Sequence, residues 1–325
     1  MTSVFDWKVP PEVEPEAKDY RYDLDRALAA IVAVKTAIPA DAFTADILGT
    51  ERTGNGVIIR SDGIVLTIGY LVTEATEVWL TLSDGRTIPG TVIGYDQDTG
   101  FGMIQALARV NLPALDLGQS KEAVPGTSVV SAGAGGAEHS LAARVIARQE
   151  FAGYWEYLLD EAIFTAPAHP YWGGTGLIGP NGTLLGIGSL QLEQAGEDGE
   201  GVPLNMYVPT DLLKPILPDM LTMGRANRPP RPWLGLYATE VDNRVVIAGI
   251  AGKGPAARAK LQQGDVVLSV GGMKVSGLAG LFRKVWSMGK AGVDVPLTVF
   301  RDGRPVDLTV TSGDRNRFLK GPSLH

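Results

Sequence analysis

Between residues 51 and 95 the chain repeats one pattern, a few apolar residues in a row followed by a turn of Ser, Asp and Gly. Apolar runs at 54–59 and 64–67 flank the first such turn, and runs at 78–82 and 91–94 flank the second. β-Branched runs bounded by Asp-Gly turns are typical of antiparallel hairpins. A succession of short strands of this kind indicates an antiparallel barrel. The predicted fold class is therefore mostly β.

A second set of apolar runs follows, with a glycine-rich loop in the middle of it. The runs lie at 129–133, 144–146, 162–166 and 184–187, and they predict a second barrel. The loop reads His169-Pro170-Tyr171-Trp172-Gly173-Gly174-Thr175-Gly176 and leads into a short strand, an Asn-Gly turn and the next strand. A loop so rich in glycine lets the backbone approach other groups closely.

Charge divides the chain near residue 230. Residues 1–230 carry 15 Lys and Arg against 29 Asp and Glu, a net charge of −14, whereas residues 231–313 carry 11 against 6, a net charge of +5. This asymmetry indicates a domain boundary and argues against nucleic acid as a partner of the acidic part. With no cysteine in the chain, disulfides and thiolate metal sites are excluded. No apolar stretch is long enough to predict a transmembrane helix.

The glycine-rich loop and the strands before it resemble the HtrA branch of the chymotrypsin-fold serine proteases. In that family the loop reads N-P-G-N-S-G-G-P-L, and the strands follow the order G-x-G-F-I-I, D-G-x-I-L-T-N-N-H-V-V and V-x-L-x-D-G-R. The resemblance spans residues 24–312. It implies a chymotrypsin-like double β-barrel followed by a PDZ domain, which is a small β domain with two helices.

The resemblance fails at the three positions that carry catalysis. Laid on the family patterns, the nucleophilic serine is Gly173, the general-base histidine is Tyr70, and the aspartate that orients it is Gly100. The glycine two places before the serine, which helps shape the oxyanion hole, is Tyr171. Glycine has no hydroxyl to attack a carbonyl, and an unperturbed tyrosine titrates near pH 10. We therefore expect a pseudoenzyme with no catalytic residue.

Neighbouring polar residues offer alternatives to this expectation. Asp96 or Asp98 could replace the missing aspartate, and Thr175 carries a hydroxyl close to the serine position. Neither arrangement supplies a base, so loop and turn roles are favoured. His139 and His169 leave open a metal-binding pseudoprotease, but neither has a partner at ligand spacing, so we predict no metal and no cofactor.

The basic C-terminal part resembles HtrA PDZ domains. Residues 254–268 closely follow the family pattern S-P-A-A-x-A-G-L-x-x-G-D-V-I, and Trp233-Leu234-Gly235-Leu236 is similar to the loop that binds a peptide carboxylate. Apolar residues at i, i+3, i+4 and i+7 in the helix predicted over 278–288 would line the groove. The predicted peptide-binding residues are Trp233, Leu234, Gly235, Leu236, Leu278, Leu281, Phe282 and Val285. Peptide or protein C-termini are the predicted partners.

The remaining segments complete the domain plan. Residues 1–23 form an arm that holds Phe5, Trp7, Tyr20 and Tyr22, and the family's use of such aromatics favours a homotrimer. The predicted protease-like domain covers 24–223 and begins with an amphipathic helix over 24–35. A proline-rich linker follows at 224–232, then the PDZ domain at 233–312 and a tail at 313–325. Residues 193–201 are predicted to form a mobile acidic loop.

The sequence thus favours a catalytically inactive HtrA-like protein that binds or scaffolds other proteins through its PDZ domain. The alternative is an active serine endopeptidase of protein quality control, as the family resemblance alone implies. No secretory signal is visible at the start, which predicts a cytoplasmic protein, or a periplasmic one if the N-terminus was trimmed.

Overall fold

A computed structural model describes residues 7–195 and 200–321. The chain divides into two compact units. The first holds the described residues up to Gln149 together with Glu161–Asn227, and the second holds Glu150–Asp160 together with Arg228–Lys320. The predicted acidic loop at 193–201 lies partly outside the described residues, as does Phe5.

The first barrel of the first unit is closed, with the strand order β1-β2-β3-β6-β5-β4. Its strands are β1 Ile31–Ala37, β2 Glu51–Ile58, β3 Ile64–Ile68, β4 Glu77–Thr81, β5 Thr87–Tyr95 and β6 Phe101–Ala106. Three short helices accompany them, α1 Leu24–Leu28, α2 Ala45–Leu48 and α3 Gly69–Val72. The two hairpins predicted from the Ser-Asp-Gly turns are β2–β3 and β4–β5.

The helix predicted over 24–35 is wrong in its second half. It begins as expected, with Asp23 accepting a hydrogen bond from the N–H of Arg26 as an N-cap, but it ends at Leu28. From Ile31 the chain is strand β1, which pairs with β2 on one side and β4 on the other. Ile31, Val32 and Val34 are β-branched and buried, so pairing within the barrel outweighs their helical spacing.

The second barrel is also closed, with the order β10-β11-β12-β9-β8-β7. Its strands are β7 Ser128–Ala132, β8 Ser140–Gly153, β9 Tyr157–Ala166, β10 Gly176–Ile178, β11 Leu184–Ala195 and β12 Gly201–Pro209. After β12 the chain forms a 3-10 turn, Thr210–Leu212, and then helix α4, Leu217–Met223. Pro215 lies between these two pieces, and Pro218 lies in the first turn of α4, where the missing N–H of proline is tolerated.

The second unit holds a six-stranded sheet in which β13-β14-β15-β17-β18 lie side by side and β16 pairs with β15. The strands are β13 Leu236–Val241, β14 Arg244–Ile250, β15 Val266–Val270, β16 Met273–Lys274, β17 Asp294–Arg301 and β18 Arg304–Thr311. Helices α5 Pro255–Arg258 and α6 Leu278–Ser287 accompany the sheet. The mostly β fold, a double barrel followed by a PDZ domain, is confirmed.

One segment of the second unit comes from an unexpected part of the sequence. Residues 150–160, the turn end of the β8–β9 hairpin, belong to it, and Leu158 is part of the same apolar core cluster as Leu281 and Phe282. No helix formed by the described residues is long and apolar enough to cross a membrane.

Candidate functional site

The first unit brings together Tyr70, Gly100 and Gly173, which the sequence motifs predict to occupy the triad positions. Tyr70 lies in α3 directly after β3, and Gly173 lies in the loop before β10. A Cβ built on Gly173 would be 2.7 Å from the Tyr70 hydroxyl. Gly100 lies close by, because its carbonyl accepts a 2.6 Å hydrogen bond from the N–H of Gly69. Residues distant in sequence therefore meet where the family resemblance places base, orienter and nucleophile.

The phenol of Tyr70 is engaged as a donor. Its hydroxyl donates a 3.0 Å hydrogen bond to the carbonyl of Ser189. Burial raises the pKa of Tyr70 above its ordinary value of 10, and a hydrogen bond with Trp172 only partly opposes this. At neutral pH the phenol keeps its proton, so it has no capacity to accept one from a nucleophile.

Gly100 carries no side chain that could orient a base. Gly100 has φ 84°, in the left-handed region that strains residues with a Cβ. The nearby Asp96 is not available as a replacement, because its Oδ2 accepts from both the N–H and the hydroxyl of Thr99, at 2.9 and 2.7 Å. Asp96 thus closes its own turn.

Asn55 holds the glycine-rich loop in place. Its backbone N–H donates to the carbonyl of Gly173 at 2.7 Å, and its side-chain Nδ2 donates to the carbonyl of Tyr171 at 2.9 Å. The Asn55 Oδ1 accepts from the N–H of Ala134. The hydroxyl of Thr175 is fully buried and donates to the carbonyl of Trp172 at 2.8 Å, so it is a turn hydroxyl.

His169 uses both ring nitrogens on backbone groups. Its Nδ1 accepts from the N–H of Tyr171 at 3.0 Å, and its Nε2 lies 2.9 Å from the carbonyl of His139. An accepting Nδ1 fixes the proton on Nε2, which is the neutral tautomer. Burial lowers the pKa of His169 to about 4, consistent with this form. Within residues 7–195 and 200–321, no three His, Cys, Asp or Glu side chains group as metal ligands would.

The N-terminal arm contacts this same loop. The Trp7 ring lies 5.1 Å from the His169 ring and 6.1 Å from the Tyr171 ring, centroid to centroid. The N–H of Val9 donates to the carbonyl of Glu138 at 2.8 Å. The arm's described aromatics therefore pack on their own chain, and self-association as a trimer stays a prediction.

In the second unit, the predicted carboxylate-binding loop holds a carboxylate. The backbone N–H groups of Leu234, Gly235 and Leu236 donate to the side chain of Glu156 at 3.0, 2.7 and 3.1 Å. Gly235 has φ 74°, and a Cβ there would lie 3.0 Å from the Trp233 ring. Glycine is therefore favoured by the left-handed backbone, and a Cβ would press against the Trp233 ring.

The other predicted groove residues lie around this loop. Trp233 packs against Phe318 with centroids 4.8 Å apart, and its backbone pairs with Gly313. The helix positions Leu278, Leu281, Phe282 and Val285 are all buried in one apolar cluster, and that cluster includes Leu158 of the hairpin.

Sequence reasoning missed Glu156. A signal was present, because the segment Phe151-Ala152-Gly153-Tyr154-Trp155-Glu156-Tyr157 places four aromatic residues in and beside a turn. A cluster of aromatic residues at the end of a hairpin indicates a surface that packs against another segment or another molecule. The pattern shows that a partner is needed, but it does not say that the partner is the loop at 234–236.

Comparison with known proteins agrees with this architecture. Residues 54–187 match the trypsin-like peptidase domain family, and residues 232–311 match the PDZ domain family. A probable periplasmic serine endoprotease DegP-like of Halomonas elongata is 29% identical over 82% of this chain and 58% of its own length. Protease Do-like 1, chloroplastic, of Arabidopsis thaliana is 28% identical over 85% of this chain and 67% of its own.

The chain belongs to the HtrA-like family of trypsin-fold proteins that carry a PDZ domain. A solved HtrA-type protease, AlgW with a decapeptide, shares the fold with a TM-score of 0.55 at 22% identity, covering 92% of this chain and 98% of that one. This chain spans 58% of the length of the Halomonas relative. The relatives' names place them in the periplasm or chloroplast, which does not support the cytoplasmic location expected from the sequence.

Proposed function

We propose that the protein is a catalytically inactive HtrA-like protein that binds the C-terminal ends of peptides or proteins through its PDZ domain. The observation that carries this proposal is the convergence of three N–H groups, from Leu234, Gly235 and Leu236, on one carboxylate. Three converging N–H donors suit a carboxylate, whose oxygens accept hydrogen bonds. A peptide C-terminus supplies the same group at the end of an extended strand.

Inactivity is supported by the chemistry of the three triad positions. Gly173 has no nucleophilic atom, the Tyr70 phenol keeps its proton, and the left-handed backbone at Gly100 lacks a carboxylate. Acyl transfer needs an activated nucleophile, and the hydroxyl of Thr175 is committed to a backbone carbonyl.

The second candidate function is an active serine endopeptidase, which the printed names of the relatives favour. Those names describe proteins that are less than one third identical to this chain. For this chain, the endopeptidase reading requires a nucleophile and base other than the residues at positions 173 and 70.

Binding of short peptides with an apolar last residue tests the proposal. Each peptide is compared as free acid and as C-terminal amide on the full chain, by calorimetry or fluorescence anisotropy. The free acid should bind at least about tenfold more tightly, because the amide loses the charge-assisted hydrogen bonds to the loop. The positive net charge of residues 231–313 should make this binding weaker as salt rises.

A pair of glycine variants serves as the matched control. Gly235→Ala should abolish the preference for the free acid, since a Cβ crowds the Trp233 ring and the backbone is left-handed. Gly303→Ala imposes the same backbone strain at φ 81° with nothing within 4 Å, and it should bind as the wild type does. Equal affinity for acid and amide in the wild type would overturn carboxylate capture.

A further inference from the structure

The carboxylate-binding loop of the second unit is occupied by the chain itself. Glu156 is 7% exposed, and its two oxygens accept the three N–H groups of the loop. A terminal carboxylate would use the same donors. A peptide that arrives at this loop therefore meets a site that is already filled.

A second contact reproduces the backbone pairing of an added strand. The N–H of Ala238 donates a 2.9 Å hydrogen bond to the carbonyl of Tyr154. Tyr154 lies two residues before Glu156, and Ala238 lies two residues after Leu236. A shift of two residues toward the N-terminus of the hairpin thus corresponds to a shift of two residues toward the C-terminus of β13. This is the antiparallel register expected of a peptide strand beside this edge.

The hairpin also contributes to the apolar core of the second unit. Leu158 is 9% exposed and belongs to the core cluster that contains Leu281, Phe282 and Val285. The ring of Tyr154 packs on Tyr237 of β13, with centroids 6.0 Å apart. At the base of the hairpin, Arg283 of α6 forms ion pairs with Glu150, at 2.5 Å, and with Asp160.

The backbone conformation indicates that Glu156 is present for its carboxylate. It has φ 60°, in the left-handed region, and it is the last of the three turn residues 154–156. A three-residue hairpin turn favours glycine at a left-handed position of this kind. A glutamate at this position strains the backbone, because its Cβ disfavours a left-handed conformation. The turn geometry therefore does not explain why a glutamate is found here.

We infer that Glu156 is an internal surrogate of a peptide C-terminus, and that the 150–160 hairpin competes with C-terminal peptides for the loop at 234–236. This inference rests on the proposed peptide-binding function. The groove then accepts a peptide only from the fraction of molecules in which the hairpin has left it. The apparent Kd is therefore the intrinsic Kd divided by that fraction, so the peptide binds more weakly than it would to an open groove.

Two measurements on the full chain test the inference, with Glu156→Gly as the principal variant. Glycine suits the left-handed turn position and removes the whole side chain with its carboxylate. The matched control is Glu161→Gln, which removes an exposed carboxylate of β9 just beyond the 150–160 hairpin, where it pairs with Arg148 instead. The first measurement needs no peptide, since it follows hydrogen exchange at the amides of residues 234, 235 and 236.

Exchange at these amides should be at least about tenfold faster in Glu156→Gly than in the wild type, and unchanged in Glu161→Gln. Equal exchange in wild type and Glu156→Gly would overturn the inference, because the carboxylate would not be protecting the loop. The second measurement is the affinity for the free-acid peptides used above. Glu156→Gly should bind them at least about tenfold more tightly than the wild type.

The two measurements separate failure of the inference from failure of the proposed function. Faster exchange with no peptide binding in any variant would keep Glu156 as occupant of the loop and overturn the proposed function. Peptide binding of equal strength in wild type and Glu156→Gly would keep the proposed function and overturn the competition.

Discussion

The carboxyl group of Glu156 lies in conflicting surroundings. Burial raises its pKa from an ordinary value of 4.5 to about 7, while the three backbone N–H groups and the charge of Arg315 act in the opposite direction. The phenol of Tyr237 is the neighbouring titratable group on β13, and burial raises its pKa too. Protonation of Glu156 therefore falls within the physiological range of pH.

This pKa predicts how stability depends on pH. Between about pH 4.5 and 7 the folded chain holds a proton on Glu156 that the unfolded chain has released, so the free energy of unfolding falls as pH rises. The stabilisation is fully present below that window and lost above it, with an upper limit of about 3 kcal/mol. Urea unfolding of wild type and Glu156→Gln across this window measures it.

The difference between the two proteins isolates this one group. From pH 4.5 to 7 the free energy of unfolding should fall more in the wild type than in Glu156→Gln. Above pH 7 the plots of this free energy against pH should be parallel. Parallel curves across the whole window would show that the Glu156 carboxyl does not titrate with a raised pKa.

At the scale of elements, the N-terminal arm is predicted to stabilise the fold of its own chain, which can be measured separately from self-association. Trp7 packs on His169 and Tyr171 of its own chain, so Trp7→Ala should lower the free energy of unfolding by about 1–2 kcal/mol through lost apolar burial. The molar mass in solution should stay unchanged. Unfolding in urea and light scattering measure the two quantities.

Trp79→Ala is the control for this prediction. Trp79 is 44% exposed on β4, so its loss should change stability much less. If Trp7→Ala instead converts an oligomer into monomers, the aromatic arm acts between chains, as the family resemblance implies.

Elements were predictable where periodicity and turn residues agreed. The Ser-Asp-Gly hairpins and the amphipathic helix α6 follow directly from the sequence. The strand β1 was not predictable, because Leu24, Leu28, Ile31 and Val32 fit helical spacing as well. Its extended form depends on pairing with β2 and β4, which are distant in sequence.

The residues of the candidate sites also differ in whether the sequence alone could identify them. Tyr70, Gly100 and Gly173 could be named from motifs, because each motif has its own flanking pattern. Glu156 could not, since its role depends on a contact with residues 234–236, about eighty positions away, and no local pattern encodes that contact. Residues that belong to a motif can therefore be identified from the sequence. A side chain that occupies a binding loop of its own chain is identified only from the structure.

At the scale of the whole molecule, we propose that a chain with two trypsin-like barrels and a PDZ domain has no catalytic activity and acts by binding. The central claim is the absence of an activatable nucleophile in the first unit. Residual catalysis from binding groups alone can reach about 10³-fold over water in damaged proteases, so slow turnover of a substrate would not decide the matter.

Covalent labelling decides it, since a fluorophosphonate probe forms a stable adduct with an activated hydroxyl such as that of a catalytic serine. The purified full chain is incubated with the probe beside an active trypsin-fold protease, and the adduct is read by intact-protein mass. We predict no adduct on the wild type and none on Gly173→Ser, which restores the hydroxyl while Tyr70 and Gly100 still replace base and orienter. Stoichiometric labelling of the wild-type chain would contradict the account.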